Sequence, residues 1–254
     1  MDHRKIKNIL REIAAQYPVE LQADQFRDVE RITYNLGLIL SHTNKGRVCD
    51  LGGGIGMLSV GCAAMGLESV LVDDFSDPIN KKIGDGILQL HRKFGVKAVS
   101  ADVLSAPLNF APESFDCIST FDSMEHWHHS PRKLFAQVRS YLKIGGKFIL
   151  SGPNCVNLRK RLTVPFGRGK WSQLSDWYEQ ERFRGHVREP DVRDLLYIAR
   201  DMRLKNVRVT GRNWHGLRSK RAIVRAAAKF SDWILRLRPG LCSDIYMVGY
   251  KMDI

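Results

Sequence analysis

Hydrophobic and polar positions change their period along this chain of 254 residues. Over the first 42 residues the apolar positions recur at helical spacing, which predicts helices over 2–16 and about 24–42. From residue 47 onward, short apolar runs alternate with helical patterns. The runs predict seven strands, which in chain order are 47–51, 69–74, 98–102, 115–121, 147–152, 205–210 and 244–251. The helices predicted between them are 57–64, 79–94, 131–142 and 190–202. Such alternation is typical of an α/β fold whose doubly wound sheet has helices on both faces.

A glycine-rich turn directly follows the first predicted strand. It reads D-L-G-G-G-I-G from Asp50 to Gly56. Glycine tolerates positive φ and lets a ligand come close to the backbone. A strand, a glycine turn and a helix N-terminus together predict a nucleotide-type pocket. The dinucleotide fingerprint would need its third glycine at position 57, which is Met57, so this turn alone leaves the cofactor open.

Acidic residues follow or end the first three predicted strands. They are Asp50, the pair Asp73 and Asp74, and Asp102. In an open sheet the ligand binds at the carboxyl ends of the strands, and an acid about 20 residues beyond the glycines can accept hydrogen bonds from ribose hydroxyls. A single Asp is more often a helix cap or a loop residue. Acids at three successive strand ends favour a shared ligand instead.

The glycine turn resembles motif I of the class I S-adenosylmethionine (SAM)-dependent methyltransferases. Ser114–Ile118, Met124–Trp127 and Leu142–Leu150 resemble later segments of that family, with Ile144 where proline is usual. The resemblance covers about 47–210 and implies a Rossmann-like sheet of seven strands, mostly parallel with an antiparallel last strand. It is nearest to small-molecule O-methyltransferases of the ubiquinone-biosynthesis and glycan-modifying kind, and it implies SAM as the cofactor.

The same resemblance assigns roles to individual residues of the cofactor site. The glycine turn would lie against the methionine and ribose part of SAM, with Asp74 as the first choice for the ribose acid and Asp73 as the second. Asp102, followed by Val103, matches the segment that meets the adenine amino group. Asp50 would orient the turn or meet the cationic end of SAM. The predicted cofactor-binding residues are therefore Asp50, Gly52, Gly53, Gly54, Gly56, Asp73, Asp74, Asp102 and Val103.

Candidates for catalysis follow from the chemistry of methyl transfer. SAM carries its own leaving group, so the protein mainly has to align the nucleophile, and a hydroxyl acceptor gains from a nearby base, usually His. His126 and His186 are the first choices, with Glu125 as a helper. A structural or merely exposed role is the competing interpretation for each. The histidines at 126, 128 and 129 match no metal-ligand spacing, so the sequence predicts no metal site.

The net charge of +13 resides in one contiguous third of the chain. Residues 157–238 hold 21 Lys and Arg against 8 Asp and Glu, whereas the remainder holds 19 of each. This asymmetry predicts an anionic partner, with a solvated basic face as the alternative. A basic, aromatic cap is predicted at about 156–189 and a basic amphipathic helix at about 217–237. That helix is expected to pack its apolar stripe on the sheet. Contact with an anionic membrane surface and contact with RNA are the less favoured alternatives, in that order.

These patterns combine into one predicted organisation. N-terminal helices over 1–46 lie on the substrate side, and a methyltransferase domain spans 47–254. The five cysteines are scattered, no secretory signal is apparent and no apolar run reaches the length of a spanning helix, so we expect a cytoplasmic protein, with peripheral membrane association as an extension.

The function predicted from the sequence is O-methylation of a small anionic, glycan or lipid-linked acceptor. Two alternatives stay open. One is an RNA methyltransferase, with nucleic acid as the less favoured partner. The other, from a different class, is a catalytically silent SAM-binding or regulatory module. The acceptor atom and the oligomeric state are left open.

Overall fold

The computed structural model describes residues 2–41, 43, 45–76, 85–105, 107–169, 174–179, 181, 183–217 and 221–253. Its α-helices are α1 (His3–Ala14), α2 (Val19–Leu40), α3 (Met57–Ala64), α4 (Gly86–Phe94), α5 (Arg132–Tyr141), α6 (Leu158–Thr163), α7 (Leu174–Tyr178), α8 (Val192–Asp201), α9 (Trp214–Leu217) and α10 (Ala222–Leu235). Its strands are β1 (Arg47–Leu51), β2 (Glu68–Asp73), β3 (Lys97–Ser100), β4 (Phe115–Phe121), β5 (Leu142–Pro153), β6 (Lys205–Arg212) and β7 (Asp244–Tyr250). Three short 3-10 helices are η1 (Met124–His126), η2 (Val164–Phe166) and η3 (Pro239–Leu241).

The seven strands form one mixed sheet in the order β3-β2-β1-β4-β5-β7-β6. It is mostly parallel, with β7 and β6 antiparallel, which confirms the predicted Rossmann-like fold class. In the centre, β1 pairs in parallel with both β2 and β4. The inner strands are apolar runs because each strand of a parallel sheet is covered on both faces.

The chain divides into two compact units. The first consists of Met1–Phe121, Arg132–Ile149 and Tyr250–Ile254, and the second of Asp122–Pro131 and Leu150–Gly249. All the predicted cofactor residues belong to the first unit. The three predicted catalytic residues belong to the second.

Most predicted boundaries lie within a few residues of the observed ones, with three larger differences. One is helix α10, which begins at Ala222 rather than about residue 217. Helix α2 begins at Val19 rather than about residue 24, since Pro18 at its N-cap already has the extended conformation that precedes a helix. Strand β5 begins at Leu142 rather than at residue 147, because the Gly145 N–H donates to the Lys251 carbonyl at 2.7 Å and extends the pairing. Part of the helix predicted at 79–94 lies outside the described residues, and α4 accounts for the rest.

The N-terminal helices pack on α3 in the first unit. A Cβ atom at Gly61 of α3 would lie 2.9 Å from Leu10 and 3.1 Å from Leu36, so glycine lets these helices come together. At the end of α2, the buried Lys147 ammonium donates to the carbonyls of Leu38 and Ile39 at 2.7 and 2.6 Å. A cation there satisfies carbonyls that the helix itself leaves without partners.

The second unit contains β6, β7 and the helices α6 to α10. Helix α8 begins with a capping box between Asp191 and Asp194. The Trp214 indole N–H donates to the Tyr246 hydroxyl at 2.6 Å, and the Asn154 amide donates to the Cys242 carbonyl at 2.9 Å. Among the described residues, no helix combines the length and the apolar character that crossing a membrane requires.

Candidate functional site

The glycine turn adopts conformations that favour glycine. Gly52, Gly54 and Gly56 have φ of +68°, +57° and +78°, in the left-handed region that L side chains rarely occupy. The Gly52 N–H donates to the Val72 carbonyl at 2.8 Å, which ties the start of the turn to β2. The three positive φ values explain the spacing of these glycines in the sequence.

Two glycines of the turn are also required by close packing. A Cβ atom at Gly53 would collide with the Asp50 carboxylate, and one at Gly56 would lie 2.6 Å from both His91 Nε2 and Leu71. At Gly54, by contrast, no atom of the described residues lies within 4 Å of an added Cβ. Gly53 and Gly56 therefore pack against the protein, whereas the Cβ position of Gly54 remains accessible to a ligand.

Asp50 lies buried beneath this turn. The Ser119 hydroxyl donates to its carboxylate at 2.9 Å, because Asp50 and Ser119 are register partners on β1 and β4. Burial raises the pKa of Asp50 to about 7, although the bond from Ser119 lowers it, and the charge of Asp73 raises it further. Asp50 is therefore a candidate for a group that becomes ionised when a cationic ligand binds.

The two acids that follow each other after β2 have different surroundings. Asp73 accepts hydrogen bonds from the Gly54 N–H and the Phe75 N–H, both at 2.8 Å, so its carboxylate lies directly at the glycine turn. Asp74 is exposed and instead accepts bonds from the backbone and hydroxyl of Ser76. Of the two, Asp73 is the acid that contacts the predicted cofactor turn.

The third acid, Asp102, caps its own turn after β3. The Leu104 N–H donates to its carboxylate at 2.9 Å, and the Ser105 hydroxyl donates to the other oxygen. Its neighbour Val103 is buried. The pair thus combines an exposed carboxylate with an apolar side chain, a combination that suits the edge and the face of a purine.

Sequence reasoning missed two residues that hold the glycine turn in place. The hydroxyl of Tyr17 and Nε2 of His91 lie 3.1 and 2.9 Å from the same acceptor, the Ile55 carbonyl. Burial lowers the pKa of His91, against the opposing effect of its bond to Ile55, so a neutral imidazole donates from Nε2. Both residues are distant from the turn in sequence, and no local pattern indicates their role.

In the second unit the structure brings all three predicted catalytic residues together. One ligand atom from each of Glu125, His126 and His186 lies within 4.8 Å of the other two. Glu125 is buried at 1% exposure, and its backbone carbonyl accepts hydrogen bonds from Val187 and Arg188 at 2.7 and 3.2 Å. These backbone bonds attach the segment that carries His186 to η1.

The two imidazoles are both oriented through Nδ1. His126 Nδ1 lies 3.0 Å from the Arg184 carbonyl, and His186 Nδ1 lies 2.8 Å from Glu189 Oε1. A carbonyl or carboxylate oxygen accepts, so Nδ1 carries the proton in each ring and Nε2 is the basic nitrogen. The ring centroids are 4.9 Å apart with nearly perpendicular planes. Burial lowers the pKa of His126, and the neighbouring His186 lowers it further.

Glu189 is a further residue that sequence reasoning missed. It accepts from His186 and also forms an ion pair with Lys160. Burial alone would raise the pKa of Glu189, but the hydrogen bonds from His186 and Lys160 outweigh it and lower the pKa to about 2. Glu189 is therefore ionised at neutral pH and holds His186 in one orientation.

Helix α10 does not bury the apolar stripe predicted for it. In the helix, Ile223 is 79% exposed and Phe230 is 80% exposed. Leu237, just beyond the end of the helix, is 73% exposed. The helix instead contacts its unit through the opposite, smaller face, where a Cβ atom at Gly216 would lie 2.8 Å from Ala228. The expectation that this stripe packs on the sheet is thus wrong. Of the predicted cap and helix, residues 170–173, 180, 182 and 218–220 lie outside the described residues.

Comparison with known proteins identifies the family and agrees with the fold. A family model described as a methyltransferase domain matches residues 21–209. No curated protein matches the chain. Solved structures of methyltransferases do match it, and the three given below share between 15% and 17% of its residues. At this level of identity the likeness shows the fold alone.

The first is Haemonchus contortus phosphoethanolamine N-methyltransferase 2 in complex with SAM, at 17% identity and a TM-score of 0.56, covering 87% of this chain and 52% of that one. This chain thus spans about half the length of that enzyme. The second is a SAM-dependent methyltransferase from Thermotoga maritima, at 15% identity and a TM-score of 0.58, covering 97% and 99%. The third is geranyl diphosphate C-methyltransferase from Streptomyces coelicolor A3(2), in complex with Mg²⁺, geranyl diphosphate and S-adenosylhomocysteine, at 17% identity and a TM-score of 0.52, covering 91% and 83%.

Proposed function

We propose that this chain, a SAM-dependent methyltransferase because it belongs to the methyltransferase-domain family, methylates an oxygen atom of a small anionic, glycan or lipid-linked acceptor. The observation that carries the proposal is the cluster of Glu125, His126 and His186 in the second unit. A hydroxyl is a weak nucleophile while protonated, so its methylation gains from a group that removes or displaces the proton. A neutral amine does not need that help.

The proposed reaction is a single displacement. The acceptor oxygen attacks the methyl carbon of SAM, and the new C–O bond forms as the C–S bond breaks. The electron pair of the C–S bond stays on sulfur, which leaves S-adenosylhomocysteine. The hydroxyl proton goes to an imidazole Nε2, since Nδ1 of both His126 and His186 already donates. Glu125 supports the positive charge that the imidazole then carries.

For the cofactor, we propose that the glycine turn receives the methionine and ribose part of SAM. Asp73 replaces Asp74 as our first choice for the ribose acid, because its carboxylate contacts Gly54 whereas Asp74 is exposed. Asp102 and Val103 are kept for the adenine ring. The hydroxyl of Tyr17, between α1 and α2, supports a role of the N-terminal helices near this turn, since it donates to Ile55.

We also propose that α10 lies on an anionic membrane surface, which would suit a lipid-linked acceptor. Ile223, Phe230 and Ile234 recur at helical spacing on one exposed face, and Trp233 lies beside them. Three cations, Arg225, Lys229 and Arg236, lie on another face of the helix, where Arg236 is paired with Asp232. An amphipathic helix with an exposed apolar face and a cationic face binds the interface of a bilayer that contains anionic lipids.

The methyl-transfer proposal is tested by following the label from SAM into a defined product. The protein is incubated with SAM that carries a deuterated methyl group and with phenolic, sugar and phosphorylated acceptors. We expect a methyl ether or ester by mass spectrometry and NMR. His126→Gln and His186→Gln should lower kcat at least 100-fold and leave SAM affinity unchanged, whereas the matched controls His128→Gln and His129→Gln should not. A label found on nitrogen or carbon would contradict O-methylation.

The membrane proposal is tested by vesicle flotation. We expect the protein to float with vesicles of one-third phosphatidylserine and not with neutral phosphatidylcholine vesicles. Phe230→Ser with Trp233→Ser should reduce the bound fraction at least fivefold. Tyr197→Ser is the control, because Tyr197 is an exposed aromatic residue on α8. Equal binding to both lipids, or none to either, would overturn the proposal.

RNA is the second candidate acceptor, and the charge of residues 157–238 is what favours it. Binding to RNA releases counterions, so its affinity falls steeply as salt rises. Filter binding with a structured RNA between 50 and 200 mM salt distinguishes an RNA acceptor from a small acceptor. A steep salt dependence together with transfer of label to the RNA would favour this candidate over a small acceptor.

A further inference from the structure

We propose that Glu125, His126 and His186 form a binding site for a divalent first-row transition cation. One ligand atom of each residue lies within 4.8 Å of the other two. Two imidazoles and one carboxylate are a ligand set found at protein sites for zinc, iron and related metals. The set joins two segments sixty residues apart in sequence, which is why no short spacing motif predicted it.

The hydrogen bonds around the cluster leave the two imidazoles with the nitrogen that a cation needs. Nδ1 of His126 faces the Arg184 carbonyl, and Nδ1 of His186 faces Glu189. Both rings are thereby fixed in the tautomer whose Nε2 presents a lone pair. A carbonyl or carboxylate behind the distal ring nitrogen is the usual outer-shell arrangement of metal-bound histidines.

Glu189 strengthens this arrangement through its own ion pair. Its second carboxylate oxygen pairs with Lys160. The Glu189 side chain is mostly buried, with 18% of its surface accessible. The carboxylate therefore cannot rotate freely away from His186. Lys160, Glu189 and His186 therefore form a chain of an ion pair and a hydrogen bond, and the chain ends at Nδ1 of the imidazole whose Nε2 is the proposed ligand atom.

Glu125 supplies the negative charge in a buried position. A carboxylate in such a position attracts a cation strongly, because the low dielectric around it strengthens the interaction between the two charges. The Glu125 carboxylate packs closely against the backbone at Gly152, where an added Cβ atom would lie 3.3 Å from Glu125 Oε2. His186, in contrast, has 38% of its side chain accessible. The cluster thus has one buried anionic ligand and a side that solvent or a substrate can reach.

The ligand chemistry selects among metals. Ca²⁺ and Mg²⁺ prefer oxygen ligands, and two nitrogens would serve them poorly. Zn²⁺, Mn²⁺ and Co²⁺ accept imidazole together with carboxylate. Ligand atoms around one such ion lie closer together than 4.8 Å, at bond lengths of about 2.0–2.2 Å, so the three side chains would draw together slightly around a bound cation while their Nδ1 hydrogen bonds are kept.

The role of the cation in catalysis rests on the proposed O-methylation, whereas its binding does not. A hydroxyl bound to the cation would lose its proton to solvent near neutral pH and present an oxygen lone pair to the methyl carbon of SAM. In that case His126 and His186 act as ligands, and neither receives the proton. The C–O bond forms and the C–S bond breaks as before.

Cation binding is tested with Co²⁺ alone, using the full, untagged chain. After treatment with chelator and dialysis, Co²⁺ is titrated and its visible absorption is followed, with metal content measured by mass spectrometry. We expect one equivalent to bind, with d–d bands of a nitrogen- and oxygen-ligated ion. His126→Ala, His186→Ala and Glu125→Gln should each weaken binding at least 30-fold. The controls His128→Ala and His129→Ala should bind as the wild type does.

A variant at the buried Glu125 could fail to fold, so a milder substitution provides a second test. Glu189→Gln keeps the size of the side chain but weakens the orientation of His186, and we expect it to weaken Co²⁺ binding three- to tenfold with SAM affinity unchanged. The proposal is overturned if the wild-type chain binds no stoichiometric Co²⁺, or if the His126 and His186 variants bind it equally well.

The two proposals fail separately. If Co²⁺ binds at these residues but chelator leaves O-methylation unchanged, the site is confirmed and its catalytic role is refuted. If it binds and the methyl label is found on nitrogen or carbon, O-methylation fails and the cation site stands. If O-methylation proceeds in a chain that binds no Co²⁺, the cation proposal fails and His126 and His186 remain the candidate bases.

Discussion

The glycine turn at residues 52–56 and the helix α10 differ in the burial of their side chains. Beneath the turn, Asp50 is buried and bonded to Ser119, and Gly53 packs against it so closely that no Cβ would fit. On α10 the large apolar residues are exposed, and none of the described residues of the helix is buried.

The difference reflects what each region has to recognise. A turn built from backbone groups held at fixed distances suits an invariant cofactor such as SAM. The basic segment is not constrained in this way, and its exposed apolar and cationic groups suit a partner that arrives from outside. Variants in the two regions should therefore have separable effects, which the following predictions test.

The largest effect is expected for Gly53→Ala. Its new Cβ would collide with the Asp50 carboxylate and lie 2.6 Å from Leu71, so the turn must shift. We expect SAM affinity, measured by calorimetry, to fall at least 100-fold and the free energy of unfolding to fall by about 1–3 kcal/mol. Gly54→Ala is the matched control, since its φ of +57° costs about 1 kcal/mol but its Cβ meets no described atom. If SAM lies at the turn, the Gly54→Ala variant should lose more binding free energy for SAM than free energy of unfolding.

The second prediction separates the two neighbouring acids. Asp73→Asn should weaken SAM binding about tenfold or more, because a charged acceptor for the ribose hydroxyls is lost at the turn. Asp74→Asn should change the affinity by less than threefold, since that side chain is exposed and bonded to Ser76. The reverse order would restore Asp74, the choice that the sequence resemblance favours.

A third, smaller effect concerns Asp50, which makes both the stability of the chain and its binding of SAM depend on pH. The pKa of Asp50 is raised to about 7 by burial, so the folded chain holds a proton that the unfolded chain has already lost between pH 4 and 7. Stability attributable to this group is therefore greatest near pH 4 and declines as pH rises towards 7.

If the ammonium of SAM lies near Asp50, binding favours the ionised carboxylate and releases a proton. Calorimetry at pH 6 in buffers of different ionisation enthalpy should detect the release of nearly one proton, and SAM affinity should rise between pH 5 and 7. Asp50→Asn should abolish the release. Equal release by the wild type and this variant would contradict the assignment.

The smallest effect on the cofactor is expected from α10. Arg225→Glu with Lys229→Glu should abolish flotation with anionic vesicles and change SAM affinity by less than twofold. Lys205→Glu with Arg208→Glu serves as a control for net charge, because both residues are exposed cations of β6. A large loss of SAM affinity in the α10 variant would show that the two regions do not act separately.

Local signals explain why the glycine turn and the central strands could be predicted. Glycine spacing reflects positive φ at Gly52, Gly54 and Gly56, a property of single residues. The apolar runs of β1, β2 and β4 likewise follow from burial on both faces of a sheet. The sequence resemblance ranks Asp74 ahead of Asp73, but no local pattern shows which of two neighbouring side chains at a strand end points towards the turn.

The other features depend on contacts between distant segments. Tyr17 and His91 meet at one carbonyl, that of Ile55, and Glu189 joins His186 to Lys160. The burial of α10 was predicted wrongly for a related reason. Periodicity shows that a helix has an apolar face, but not whether another part of the chain covers it.

Strand period, glycine conformation and charge are properties of short segments, so the sequence was enough to predict the fold class, the glycine turn and the location of the excess charge. Which acid contacts the turn, the exposure of the stripe of α10 and the meeting of Glu125, His126 and His186 became visible in the folded chain. These depend on the direction of side chains and on contacts across sixty residues or more of chain, which no local pattern encodes.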